Sequence, residues 1–193
     1  MRSVLVAALS SRPPAAVIAA LAGCLAGAVL SQPAEATLFH SREEALRLAF
    51  PDADRTEAHD FFLTPEQRSE IESRAKAPLD SNLLTVYVGY RGDEKTGYAL
   101  LDTHVVRTLP ETFLVVLRPD GAVAATHVLA FYEPLDYLPG ERWLVQFHGK
   151  RLSDDLNIGR GIAGITGSTL SSRAVAGGIR RALAIHAVLL GGQ

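Results

Sequence analysis

The sequence predicts an α+β fold, an antiparallel sheet with helices packed on it, and three observations carry that expectation. Helix signals lie before residue 80 and after residue 170, with extended runs gathered between them instead of alternating with them. A proline-aspartate-glycine turn at Arg118-Pro119-Asp120-Gly121 joins two of the extended runs, which makes them an antiparallel hairpin. Val175, Ile179, Leu183, His186 and Leu190 then recur at helical spacing, the mark of a helix with one buried stripe.

The chain has 193 residues, 48% of them hydrophobic and 21% charged, with a formal net charge of −2. That length suits one domain with a small appendage. Nucleic-acid binding has no electrostatic support, because it needs a basic face to neutralise phosphates.

Residues 1–36 read as a secretory signal peptide or an N-terminal membrane anchor. Arg2 and Arg12, the apolar run Ala15–Leu30 and the ending Ala34-Glu35-Ala36 supply the basic start, apolar core and small-residue cleavage site of a leader. The run is short for a spanning helix, yet short helices can cross thin membranes, so cleavage and retention both stay open. Leu21-Ala22-Gly23-Cys24 resembles the lipobox of bacterial lipoproteins, which adds acylation of Cys24 as a third outcome. The expected location is the periplasm or the outer face of the cytoplasmic membrane. Cys24 is the only cysteine, so a cleaved chain has no disulfide or iron–sulfur chemistry of its own.

Residues 37–80 read as a helical N-terminal segment. Ser41-Arg42-Glu43-Glu44 is a capping box ahead of a short helix that Pro51 ends. Thr64-Pro65-Glu66-Gln67 is a second box, with proline at the first helical position. The helix that follows is polar except around Ile71 and Ala75, its narrow buried face.

The main domain is expected over residues 81–193. Leu83–Tyr90, Thr96–Val106, Thr112–Leu117 and Ala122–Tyr132 are rich in β-branched and aromatic residues and read as strands. Trp143–His148 reads as a further strand, with Trp143, Val145 and Phe147 on one face. The final helix is expected from about Ser172 to Leu190. Its Gly177 and Gly178 cost about 1 kcal/mol each relative to alanine, which calls for a close approach of backbone to the sheet or to a ligand.

The chemistry points to Gly159–Val175, a glycine-rich loop that ends in hydroxyl residues and enters a helix. Thr166, Ser168, Thr169, Ser171 and Ser172 offer hydroxyls, the helix N-terminus offers unpaired N–H groups, and Arg173 adds a full positive charge. Together these suit a phosphate or another anion, although loops before helices are commonly rich in such capping residues.

The order Ile165-Thr166-Gly167-Ser168-Thr169-Leu170-Ser171-Ser172-Arg173-Ala174-Val175 closely resembles the flavin-attachment segment of the FMN-binding domain family. That family includes the FMN-bearing subunits of the sodium-translocating NADH:quinone reductase and of the Rnf complex. Its pattern is Asp-x-x-(Ser/Thr)-Gly-Ala-Thr, and a flavin transferase joins FMN through its phosphate to the last threonine. The resemblance implies that Thr169 is the acceptor, with Thr166, Gly167, Ser168, Leu170, Ser171 and Arg173 around the phosphate. Ser168 stands where the family has alanine, and Ala163 where it has aspartate. Glu133–Gly140 lies where family members carry a turn near the flavin, so Tyr137 and Leu138, with Trp143, are candidates for the ring's surroundings.

The resemblance implies FMN as cofactor, electron transfer as function, and a flavin transferase and membrane-bound redox proteins as partners. No catalytic acid or base is needed, and no resident metal is implied. A module of the same fold that binds flavin without a bond is the alternative, favoured by Ala163. A serine hydrolase is a poorer reading, since Gly167-Ser168-Thr169 lacks the preceding apolar strand and second glycine of a nucleophile elbow.

Overall fold

The computed structural model describes residues 37–106 and 108–191. The expected leader or anchor over residues 1–36, with the expected acylation of Cys24, lies outside the described residues. No helix among the described residues is long and apolar enough to cross a membrane.

In chain order the elements are β1 (Thr37–Leu38), α1 (Arg42–Ala49), β2 (Arg55–Phe62), α2 (Pro65–Ala75), β3 (Leu83–Arg91), β4 (Glu94–Val106), β5 (Leu109–Leu117) and β6 (Val123–Phe131). A short 3₁₀ turn (Leu135–Tyr137), α3 (Glu141–Leu144) with a second 3₁₀ turn (Val145–Phe147), and α4 (Thr169–Ile185) complete the fold. A π turn over His186–Leu190 extends α4. The strands form one antiparallel six-stranded sheet in the order β1-β6-β5-β4-β3-β2. The fold is therefore α+β.

Both expected capping boxes are present. Ser41 and Glu44 satisfy each other's backbone N–H at the start of α1, and Thr64 and Gln67 do the same for α2. The expected hairpin joins β5 to β6, with Gly121 N–H donating to Arg118 O at 2.9 Å and Ala122 N–H to Asp120 Oδ1 at 3.1 Å.

Strand alternation divides the core between two faces. Val86, Val88, Tyr98, Leu100, Phe113, Val115 and Leu117 point to one face, where α2 and α4 cover them with Ile71, Ala75, Val175, Ile179, Ala182 and Leu183. Tyr87, Ala99, Leu114, Val116 and Leu129 point to the other, under Ala45 of α1 and Phe50 just beyond it. Both faces being covered explains why β5 reads as a nearly continuous apolar run and not as an alternation.

Two expectations need correction. Residues 143–148 are not a strand but helical: Trp143, Leu144 and Phe147 are buried at i, i+1 and i+4, while Val145 is 54% exposed. So short an apolar run fits either period. The deciding signal is Pro139-Gly140-Glu141, which places a glycine N-cap and an acidic residue at the start of a helix. The segment 37–80, expected as helical, also contributes β1 and β2, the two edge strands, so the sheet does not divide at residue 81. β2 (RTEAHDFF) shows no alternation because, as an edge strand, it leaves most side chains on both faces in solvent.

The close approach expected at Gly177 and Gly178 is real at Gly178. A Cβ there would sit 2.5 Å from Asp102 Oδ2 and 2.9 Å from its Cγ. The bare backbone of α4 thus rests directly on an acidic residue of β4. Gly177 has only ordinary contacts and nothing in the structure explains it.

Candidate functional site

α4 begins at Thr169, three residues earlier than its apolar stripe suggests, so the hydroxyl-rich stretch is divided between loop and helix. Gly167, with φ of 82°, makes the turn that delivers the chain to Ser168, the N-cap. A residue with a Cβ is strained at that φ, which explains the glycine.

The helix start differs from those of α1 and α2. Ser168 makes no side-chain capping bond to α4. Its hydroxyl donates to the carbonyl of Tyr137, which pins the loop to the 3₁₀ turn before α3. The first i→i−4 bond runs from Ser172 N–H to Ser168 O at 3.0 Å, and the Ser172 hydroxyl donates to the same carbonyl at 2.8 Å. The N–H groups of Thr169, Leu170 and Ser171 come before that bond, where a helix offers no acceptor of its own. The positive end of a 17-residue helix is left without a side-chain cap.

The structure sorts the predicted residues. Thr166, Gly167 and Thr169 are exposed, as are Leu170, at 47%, and Arg173. Ser168, Ser171 and Ser172 are buried. Tyr137, Gly167, Ser168, Leu170 and Ser171 come together with Val106 and Glu133 around a void of about 10 Å³, room for one water. The Glu133 carboxylate accepts from Leu109 N–H at 3.2 Å, which ties the β4–β5 turn to the same place. Leu138 belongs to a different hollow of about 240 Å³, shared with Phe39, His40, His127 and Leu144.

Trp143, a candidate for the ring's surroundings, is a core residue 8% exposed, edge-on to Phe147 with centroids 5.2 Å apart. Its indole N–H donates to Ala163 O at 2.6 Å, while Ala163 N–H donates to Gln146 Oε1 at 2.9 Å. Both backbone groups of Ala163 are thus held by side chains of the α3 region. Trp143→Phe, which keeps an aromatic ring against Phe147 but deletes this bond and part of the indole's packing, is expected to cost about 1–3 kcal/mol in urea unfolding. A loss near zero would show that the loop is held without the indole.

Sequence reasoning missed a second polar cluster, on the face of β4 and β5 that α4 covers. Asp102 and His104 continue the row of Tyr98 and Leu100 on that face, and the register places His104 opposite Glu111. Arg181 of α4 grips Asp102 through Nε at 2.9 Å and Nη2 at 2.7 Å, and His104 Nδ1 lies 2.7 Å from Asp102 Oδ2. Glu111 is fully buried, and its Oε2 lies 3.7 Å from His104 Nε2, too far for a hydrogen bond.

Burial opposes the charged form of His104, but its contacts with Asp102 and Glu111 outweigh this and raise its pKa to about 9. Burial also opposes ionisation of Asp102, and there His104 and the Arg181 guanidinium win, holding the carboxyl below its ordinary value. The readable signal was two polar residues at i and i+2 on the inward face of an apolar strand. His104 and His127 do not meet across the sheet, because β5 lies between them and His127 faces Leu114. His186 is buried edge-on to Tyr98, with ring centroids 5.1 Å apart.

Neither a protein-family model nor a curated protein matches the chain. Among solved structures, the crystal structure of Shewanella oneidensis NqrC is similar with a TM-score of 0.47 and 16% sequence identity, over 72% of this chain and 80% of that chain.

Proposed function

We propose that the chain is an FMN-carrying electron-transfer protein in which the flavin phosphate is esterified to Thr169. The observation that carries the reading is the placement of Thr169, exposed and first in a long helix whose N-terminus has no side-chain cap. This is where the sequence resembles a flavin-attachment segment, and the donor set suits a phosphate. Backbone N–H groups and the helix dipole favour an anion, and Arg173 follows on the same face at i+4.

When bound, flavin supplies reversible electron uptake; the chain's residues bind, orient and shield it. Thr169 provides the hydroxyl, and Gly167 leaves the approach to it free of side chains. The Ser168 bond to Tyr137 fixes the loop relative to the 3₁₀ turn. Leu170 and Tyr137 present apolar surface beside the phosphate site. The same reading carries a flavin transferase and membrane-bound redox proteins as partners, and residues 1–36 as the export leader or anchor.

A second reading, reversible binding without an ester, is favoured by Ala163. It offers no carboxylate where the family pattern has one, and its backbone groups are already taken by Trp143 and Gln146.

Intact mass of the denatured protein, coexpressed with a flavin transferase, separates the two readings. The expected result is the added mass of one FMN less one water, as a phosphoester requires, lost in Thr169→Ala. Flavin that copurifies but leaves on denaturation would establish the second reading, and no flavin in either state would end both.

A further inference from the structure

α4 carries a second basic feature on the face that begins with Thr169. Arg173, Ala176 and Arg180 follow at helical spacing, and with Asn157 and Ile158 they line a polar hollow of about 320 Å³. Arg180 is half-buried. Its Nε donates to Ala75 O at 2.9 Å and its Nη1 to Leu156 O at 3.4 Å, both neutral acceptors. Arg173 has no hydrogen bond or ion pair among the described residues. The neighbouring Arg181 is different, because Asp102 neutralises it.

Two guanidinium groups therefore border one hollow without a carboxylate between them. Burial first, and then the positive charge of Arg181, hold Arg180 below its ordinary pKa, as expected of a cation lacking a counter-charge. The opposite wall is firm. Asn157 donates through N–H at 3.0 Å and through Nδ2 at 2.7 Å to Asp155 Oδ1, and its carbonyl accepts from Arg160 and Ile162 N–H, each at 3.2 Å. Asp155 is the nearby acid, and its carboxylate is engaged by Asn157, with Arg160 and Lys76 adding their charge.

We infer that this hollow is an oxyanion site, distinct from the helix N-terminus, that takes a small phosphate- or carboxylate-bearing molecule. Guanidinium groups give charge-assisted, planar hydrogen bonds that match either group, and the second N–H of the Asn157 carboxamide adds a neutral donor. The inference does not depend on flavin attachment at Thr169. A flavin phosphate would meet the N–H groups of the first turn of α4, and Arg173 borders both places, whereas only this ligand would meet Arg180 and Asn157.

The test is an NMR titration of the full chain with inorganic phosphate and, separately, with succinate, following the Arg Nε–H and Asn157 Nδ2–H₂ signals. Sodium chloride at matched ionic strength is the control. Saturable shifts of Arg173, Arg180 and Asn157 are expected, with affinity reduced about tenfold in both Arg173→Ala and Asn157→Ala. The tighter of the two anions identifies the ligand class. Both variants change exposed residues, so folding is preserved even though Arg180 itself tethers α4 to α2. A response that chloride reproduces, or saturation confined to the amides of Thr169–Ser171, would overturn the inference. So would an affinity unchanged in Asn157→Ala, and Arg180 would then be a tether alone.

Discussion

Asp102→Ala is expected to destabilise the protein by about 3–5 kcal/mol, among the largest effects of any single substitution. The carboxylate lies between two cations, with two bonds from Arg181 and one contact from His104, and its side chain is only 15% exposed. Removing it leaves a guanidinium and an imidazolium under α4 with only Glu111 to compensate, and that at 3.7 Å. Asp102→Asn separates charge from shape. It keeps the volume beneath Gly178 but cannot neutralise Arg181, so it should retain most of the loss. Urea unfolding of both variants measures this. If Asp102→Asn were nearly neutral, the ionic contribution would be negligible and packing against Gly178 would be the real role of the residue.

Stability is expected to fall between pH 6.5 and 9 by about 3 kcal/mol through His104 alone. Its folded-state pKa is raised to about 9 from the ordinary histidine value of 6.5. Below pH 6.5 the folded and unfolded chains both hold the proton, and the full stabilisation is present. Between the two values the unfolded chain gives up its proton while the folded one keeps it, so rising pH favours unfolding. Above pH 9 the contribution is gone. The His104 imidazole resonances should titrate near pH 9, and His104→Gln should flatten the stability profile over this range. A midpoint near 6.5 would show that Asp102 and Glu111 do not hold the proton.

These two predictions concern residues that nothing in their spacing along the chain would join. Asp102, His104, Glu111 and Arg181 come from β4, β5 and α4, and only tertiary structure brings them together. Gly178 was the clue, because a glycine inside a well-patterned helix demands an explanation, and the explanation proved to be Asp102. Where the physics is local, the sequence was more transparent. Both capping boxes, the β5–β6 turn and the stripe from Val175 to Leu190 depend on residues a few positions apart. β2 was opaque because an edge strand need not alternate, and α3 because Trp143, Val145 and Phe147 fit period two as well as Trp143, Leu144 and Phe147 fit a helix. At the candidate site the loop was legible in its residue types but not in their exposure. Ser168 and Ser171 share the chemistry of Thr169, yet the structure turns them inward, and only the start of α4 decides which hydroxyl meets solvent.

The order of strands also has a consequence in time. β2 to β6 form a meander in which each strand pairs with the next in sequence, so these contacts can close while the chain is still being made. The face that holds Val86, Phe113 and Val115 must wait for α4, which begins only at Thr169. A nascent chain that stops short of that point has a paired sheet whose apolar side is only partly covered, by α2 and the residues around α3, the state most open to chaperones, proteases and aggregation. The segment that ends this exposure is also the one that displays Thr169 on the first turn of a docked helix. A modifying enzyme that recognises that turn would, by the same act, select chains whose folding is complete.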